Sequence, residues 1–167
     1  MRLSGVRVEK TRTGKNVHQA TGEWTLIGAH HQAGTSTLAA LLNHRQSGFA
    51  VEFAAGTLPA KRVVIVARST PDGAEAAAAM VTDWPLPTRP VLCLVADVPF
   101  PASRLTRHRI KVISPRLSAV IGLPYLFALR NLGSVAAAVR HDRKTTHAAR
   151  GLQRALARLA LSEDTSS

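Results

Sequence analysis

The sequence predicts an α/β protein, a three-layer α/β/α sandwich around a mostly parallel sheet of about five strands. Three observations predict it. Arg62 to Ala67 (R-V-V-I-V-A) and Val91 to Ala96 (V-L-C-L-V-A) are apolar without the in/out alternation of a half-exposed strand. Such runs belong to strands covered on both faces. The alanine-rich stretch Pro71 to Trp84 lies between them, with Pro71 suited to the first turn of a helix. A third apolar run, Trp24 to Ala29, passes through small and polar residues into another helical stretch. Buried strands separated by helices imply parallel pairing through helical crossovers.

The remaining elements follow in order. Met1 to Glu23 carries Arg2, Arg7, Lys10, Arg12 and Lys15 without apolar periodicity, and residues 1–23 read as a basic flexible arm. With no apolar block behind these cations, the segment is not expected to be a secretory signal. Ser36 to Arg45 spaces Leu38, Leu41 and Leu42 as one helix face, ending before Gly48. Phe49 to Phe53 reads as a second strand, Gly56 to Ala60 as a loop, and Pro85, Pro87 and Pro90 as a stiff connection. The β-branched Ile110 to Ile113 reads as a shorter strand. Leu123 to Leu132 and Thr146 to Leu161 read as helices. The core domain is thus expected over 24–133, with a basic C-terminal helix and tail over 134–167. No internal repeat is visible.

Composition bounds the function. The 22 Lys and Arg outnumber the 10 Asp and Glu, a formal charge of +12. Nucleic acid, nucleotides and acidic protein partners are the polyanions such a charge attracts. No run of about 18 apolar residues is present, so no transmembrane segment is expected. Cys93 is the single cysteine, which excludes an internal disulfide and any cysteine-based zinc cluster and favours a cytoplasmic setting. The histidines show no metal spacing, and no Gly-x-Ser-x-Gly elbow supports nucleophilic hydrolysis.

The stretch with chemical character is Leu26 to Leu42, L-I-G-A-H-H-Q-A-G-T-S-T-L-A-A-L-L. A phosphate-binding loop needs small residues that let backbone N–H groups converge, a helix N-terminus, a lysine for the outer phosphates and a hydroxyl for magnesium. Against G-x-x-x-x-G-K-[ST], Gly34 and Ser36 match. Thr35 stands in place of the lysine, and Gly28 falls one position early.

The loop resembles the deviant phosphate loop of the MinD/ParA-type ATPases, x-K-G-G-x-G-K-[ST]-T, through Gly34, Ser36 and Thr37. In it His30 replaces the signature lysine, and His31 and Gln32 replace the two glycines. It also resembles the G-A-H-G-G-x-G-x-S-T loop of an uncharacterised family of small P-loop-like proteins from high-GC bacteria, through Gly28, Ala29, His30, Gly34, Ser36 and Thr37. The likeness runs from about Trp24 to Gly133. It implies a P-loop NTPase-like fold and ATP or ADP with magnesium as ligand. It also implies phosphate contacts from His30, Gln32, Ala33, Gly34, Thr35, Ser36 and Thr37, and an accessory or regulatory role, in a mobile element for the small family. Pro124, in Leu123-Pro124-Tyr125, resembles the proline that borders the base in MinD/ParA-type proteins.

Against that likeness stand specific losses. Without lysine the loop lacks a fixed cation, and charge-assisted contacts of this kind contribute roughly 1.5–3 kcal/mol each. No acid ends the Arg62 to Ala67 strand. Asp97, after Val91 to Ala96, is the candidate magnesium acid, while Asp72 reads as a helix-start residue. Arg68, and Arg107 and Arg109 of the segment Arg104 to Lys111, are the candidate substitute cations outside the carboxyl ends of strands. In the C-terminal helix, Leu152, Ala155, Leu156 and Leu159 form one face and Arg150, Arg154 and Arg158 the other. With Arg143 and Lys144, these are the candidate nucleic-acid contacts. Three functions follow: a degenerate phosphate loop that binds nucleotide weakly, a basic nucleic-acid-binding module that keeps the fold as scaffold, or an atypical ATPase.

Overall fold

The computed structural model describes residues 23–45, 48–54 and 62–165. The basic arm up to residue 22 and the segment Gly56 to Ala60 lie outside the described residues. The elements are β1 (Trp24–Gly28), α1 (Thr35–Leu42), β2 (Ala50–Glu52), β3 (Val63–Arg68), α2 (Pro71–Thr82), β4 (Val91–Val95), α3 (Arg104–Ile113), β5 (Ala119–Leu123), α4 (Phe127–Asn131), α5 (Val135–His141) and α6 (Arg143–Thr165), with a short 3-10 turn at Ser114–Arg116.

The five strands form one sheet in the order β2-β1-β3-β4-β5, every pair parallel. Helices cover both faces, as the apolar runs predict. Successive side chains of β3 serve opposite faces. Val64 and Val66 join Trp24, Leu26, Leu38, Leu41 and Leu42 in the larger core. Ile65 and Ala67 join Ala74, Ala77, Val81, Leu92, Ile110 and Ile113 in the smaller one. The chain runs from β1 outward to β2, then returns across β1 to β3. This reversal makes the carboxyl ends of β1 and β3 the switch point, where open α/β sheets form their binding crevice.

Ile110 to Ile113 is not a strand but the end of helix α3. Ser103 caps that helix, its Oγ accepting from the Thr106 N–H at 3.1 Å, and Thr106, Ile110 and Ile113 are buried. Their i, i+4, i+7 spacing presents one stripe to α2, and that packing overrides the strand preference of the β-branched residues. The fifth strand is β5 instead. It lies at the edge with side chains alternating between half-buried and exposed, although its sequence, A-V-I-G-L, contains no polar side chain.

The helix expected over Leu123 to Leu132 is shorter. Leu123 ends β5, and only Phe127–Asn131 is helical. Gly133, at φ 66°, turns the chain out of α4. Ser134 then caps α5, accepting from the Ala137 N–H at 3.1 Å. Helix α6 starts three residues before Thr146, because the Asp142 carboxylate accepts from the Thr145 N–H at 2.8 Å and its hydroxyl at 2.6 Å. Those bonds, the hydroxyl's foremost, hold the Asp142 carboxyl below its ordinary value.

Helix α6 lays Ala149, Leu152, Leu156 and Ala160 into the larger core. Residues 143–160 therefore help to cover the same sheet face as α1. Arg62, before β3, secures the far end of α6. It donates to the Ala160 carbonyl at 3.2 Å and pairs with Glu163 and Asp164 at 3.4 and 2.6 Å. No helix among the described residues is long and apolar enough to cross a membrane.

Candidate anion-binding site

The loop between β1 and α1 sits at the switch point. Gly34 precedes the helix at φ 96° and ψ 18°, a left-handed conformation that residues with a Cβ rarely adopt. No side chain caps α1, and its first turn contains no acid. The N–H groups of Thr35, Ser36 and Thr37 belong to the first helical turn and have no partner within the helix. They border a cleft of about 550 Å³ lined by the residues from His30 to Thr37 together with Glu52 and Arg68.

Three side-chain relations brace this loop. The His30 Nε2 accepts the Arg68 N–H at 3.2 Å, and its Nδ1 lies 2.8 Å from the His31 carbonyl oxygen. An N–H donor at Nε2 and a carbonyl at Nδ1 together select the neutral tautomer protonated on Nδ1. His30 therefore ties β1 to β3 through its lone pair, rather than offering a charge in place of the signature lysine. Gln32 adopts φ 59°, in a position where the small-family loop has glycine. Its carbonyl accepts from Arg68 Nε at 3.1 Å. Thr35 turns back over β1: a Cβ on Gly28 would lie 3.0 Å from Thr35 Oγ1.

The cations come from β3 and α4. Arg68 ends β3 and reaches the loop with Nε, while its Nη1 donates to Asp97 Oδ1 at 2.5 Å. Arg130, on α4, meets the same oxygen at 3.3 Å. Its guanidinium also lies 5.7 Å from the centroid of Tyr125, within cation–π range. Gly34, Thr37, Arg68, Pro124, Tyr125 and Arg130 line a second cavity of about 270 Å³ next to the loop. Two guanidinium groups thus converge beside the position where the loop lacks its lysine. One carboxylate engages both.

The carboxylate brought to the loop hydroxyl is Glu52, at the end of β2: Ser36 Oγ donates to Glu52 Oε2 at 3.1 Å. A hydroxyl and a carboxylate at this distance offer oxygen ligands of the kind magnesium takes. Asp97, the sequence candidate for that role, is engaged by the two arginines instead.

The other candidates fall elsewhere. Arg68 and Pro124 reach the loop's surroundings. Arg104 to Lys111 is helical and leaves the switch point: Arg109 donates to the Pro71 carbonyl at 2.8 Å and pairs with Glu75 at 3.1 Å. Arg107 is exposed on α3 and lines neither cavity. Asp72 lies in the first turn of α2, behind the Thr70 cap. Arg143, Lys144, Arg150, Arg154 and Arg158 are all exposed on α6. The sequence reading missed Arg130 and Glu52. Glu52 was legible as the one acid closing the Phe49 to Phe53 strand, whereas nothing local marks Arg130.

Cys93 lies inside β4, and burial pushes its thiol up to about 12. It is a packing residue in this setting, inert as a nucleophile.

Comparison of the chain with protein-family models, curated proteins and solved structures finds no match.

Proposed function

We propose that the chain binds a phosphate-bearing ligand, a nucleotide such as ATP or ADP, weakly at the loop between β1 and α1. The role is accessory or regulatory in the cytoplasm, without efficient hydrolysis. One observation carries the reading: Arg68 and Arg130 converge beside an uncapped helix start at the switch point. First-turn N–H groups and two guanidiniums suit a multiply charged anion. Gly34, Ser36 and Thr37 match the phosphate-loop pattern residue by residue, and the cavity beside Pro124 and Tyr125 adjoins the same loop. Two arginines from outside the loop take the place of its missing lysine.

The ordinary chemistry of a phosphate loop is only half supplied. Magnesium, when bound with nucleotide, would supply positive charge that offsets that of the phosphates. Ser36 and Glu52 are the residues that would hold it. Strand β3 ends in Arg68, so no acid stands there to orient an attacking water.

Titration calorimetry with ATP, ADP and inorganic phosphate, each with and without magnesium, tests the reading. The expected result is binding of the polyphosphates that weakens severalfold in Arg68→Ala, with no steady phosphate release. Absence of binding to all three anions contradicts it. Phosphate release dependent on magnesium would favour the atypical ATPase.

A second reading rests on α6. Five exposed cations, Arg143, Lys144, Arg150, Arg154 and Arg158, line its solvent side, the footprint of a nucleic-acid surface. Such binding would lack sequence preference and weaken steeply with salt through counterion release. Salt-titrated binding of duplex DNA and RNA, before and after charge reversal at Arg150, Arg154 and Arg158, separates the two readings.

A further inference from the structure

At the sheet edge, β5 and the first half of α6 enclose an apolar groove of about 620 Å³, which shares Pro124 and Tyr125 with the cavity beside the loop. The phosphate reading makes no use of the groove. Ile121, Leu123 and Leu152 contribute its apolar lining, Arg143 and Lys144 its charge, and His147 a polar ring beside them, these last three all exposed. Strand β5 pairs with β4 alone among the described residues. The Ala96 N–H donates to the Leu123 carbonyl at 2.9 Å. By the period of two along a strand, Ala119 and Ile121 turn their backbone groups to β4 as Leu123 does. The N–H and C=O of Val120 and Gly122 consequently face the open edge. On the α6 side a glycine leaves the space open: a Cβ at Gly151 would meet nothing within 4 Å.

We propose that the β5 edge takes up an extended acidic segment of a partner protein as a sixth strand, its acids meeting Arg143, Lys144 and His147. An open edge satisfies a peptide backbone by strand addition, and the groove beside it receives alternate side chains. Charge selects the occupant. A second copy of the chain on this edge would bring its own basic groups toward the same three. The chain's N-terminal residues are themselves basic. A nucleic acid would find only Tyr125 and the His147 imidazole as rings in the lining, a poor platform for base stacking.

The probe is a fluorescein-labelled peptide of roughly eight residues, a common strand length, alternating valine and glutamate. It is compared with one alternating valine and lysine, both against the full chain by anisotropy. The acidic peptide is expected to bind and the basic one not. Binding should slow hydrogen exchange at Val120 and Gly122. Gly122→Pro removes an outward N–H while leaving the bonds to β4, and should weaken binding about tenfold or more. Gly151→Leu fills the groove from an open position on a helix and should block binding with the fold intact, which covers the case that Gly122→Pro does not fold. Equal binding of both peptides, or of neither, overturns the proposal. So does acidic-peptide binding that survives Gly151→Leu, dimerisation through β5, or protection of the same amides by an oligonucleotide.

Discussion

Arg68 Nη1 donates to Asp97 Oδ1 at 2.5 Å, from the end of β3 to the segment after β4. Parallel neighbours end at the same edge of the sheet, so residues 29 positions apart meet there. Asp97 thereby engages the guanidinium that the phosphate loop would otherwise use. On the proposed reading, this carboxylate and an incoming phosphate would compete for one cation.

Asp97→Asn should therefore tighten ATP or inorganic phosphate binding. Both partners are about a third exposed, so solvent screens the pair and its contribution is modest. The gain is expected to be severalfold, up to about tenfold. An unchanged or weaker affinity in calorimetry would show that Asp97 positions the arginines rather than competing for them.

Thr35→Lys restores the cation at the position where phosphate loops carry it. Triphosphate binding should strengthen by up to about tenfold, one charge-assisted contact of moderate strength. Turnover should stay low, because β3 ends in Arg68 and not in an acid. Efficient ATP hydrolysis by this variant would refute that account of the missing chemistry. Binding absent both before and after the change would make the loop a vestige.

Gln32 carries a side chain at φ 59°, a conformation in which L residues are strained by about 1 kcal/mol or more. Gln32→Gly removes the strain, partly offset by the greater freedom of glycine in the unfolded chain. Chemical denaturation should show a stabilisation of up to about 1 kcal/mol. A clear loss of stability would mean that the Gln32 side chain contributes more than its backbone strain costs.

Gly73 is the point where α2 approaches β3. A Cβ there would lie 2.3 Å from the Arg68 carbonyl oxygen. Gly73→Ala must push the helix away from the strand end, and overpacking of this kind costs about 1–3 kcal/mol. Because Arg68 is the residue displaced, anion affinity should fall together with stability. A variant as stable as the parent would contradict the close approach.

Cys93 offers a probe of the whole fold. Its thiol is raised to about 12 by burial, so the folded state keeps a proton that the unfolded state loses near its ordinary value of roughly 8.5. Rising pH then favours the unfolded chain, and this part of the stability declines from about pH 9 toward 12. Below that window, alkylation by iodoacetamide should track global unfolding. Rapid modification of the native protein at neutral pH would count against the packing of β4.

The fold class was legible because its signal is local and strong. A strand covered on both faces must be apolar at every position, so β3 and β4 announce themselves, and Trp24 to Gly28 does so nearly as well. Loop and helix start were legible for a related reason: Gly34 and the hydroxyl residues after it have the chemistry that a strand-to-helix turn requires. The reading failed at Ile110 to Ile113 and at β5. Ile110 to Ile113 has strand-forming residues, yet it is helical because α2 offers a surface matched to Thr106, Ile110 and Ile113. Strand β5 was missed although its sequence, A-V-I-G-L, has no polar side chain; Gly122 interrupts its run of strand-forming residues.

The sequence by itself determined that buried strands would alternate with helices, that a small-residue turn would open α1, and that its lysine would be absent. Only the tertiary structure decided what stands beside that turn. Arg68, Asp97 and Arg130 come from three elements, and no spacing along the chain links them. They meet because parallel strands deliver their carboxyl ends to one edge, and because the order β2-β1-β3-β4-β5 puts the ends of β1, β3 and β4 in a row. Periodicity records how each segment buries itself against a face. Which charges meet at the edge is set by the order in which the strands assemble.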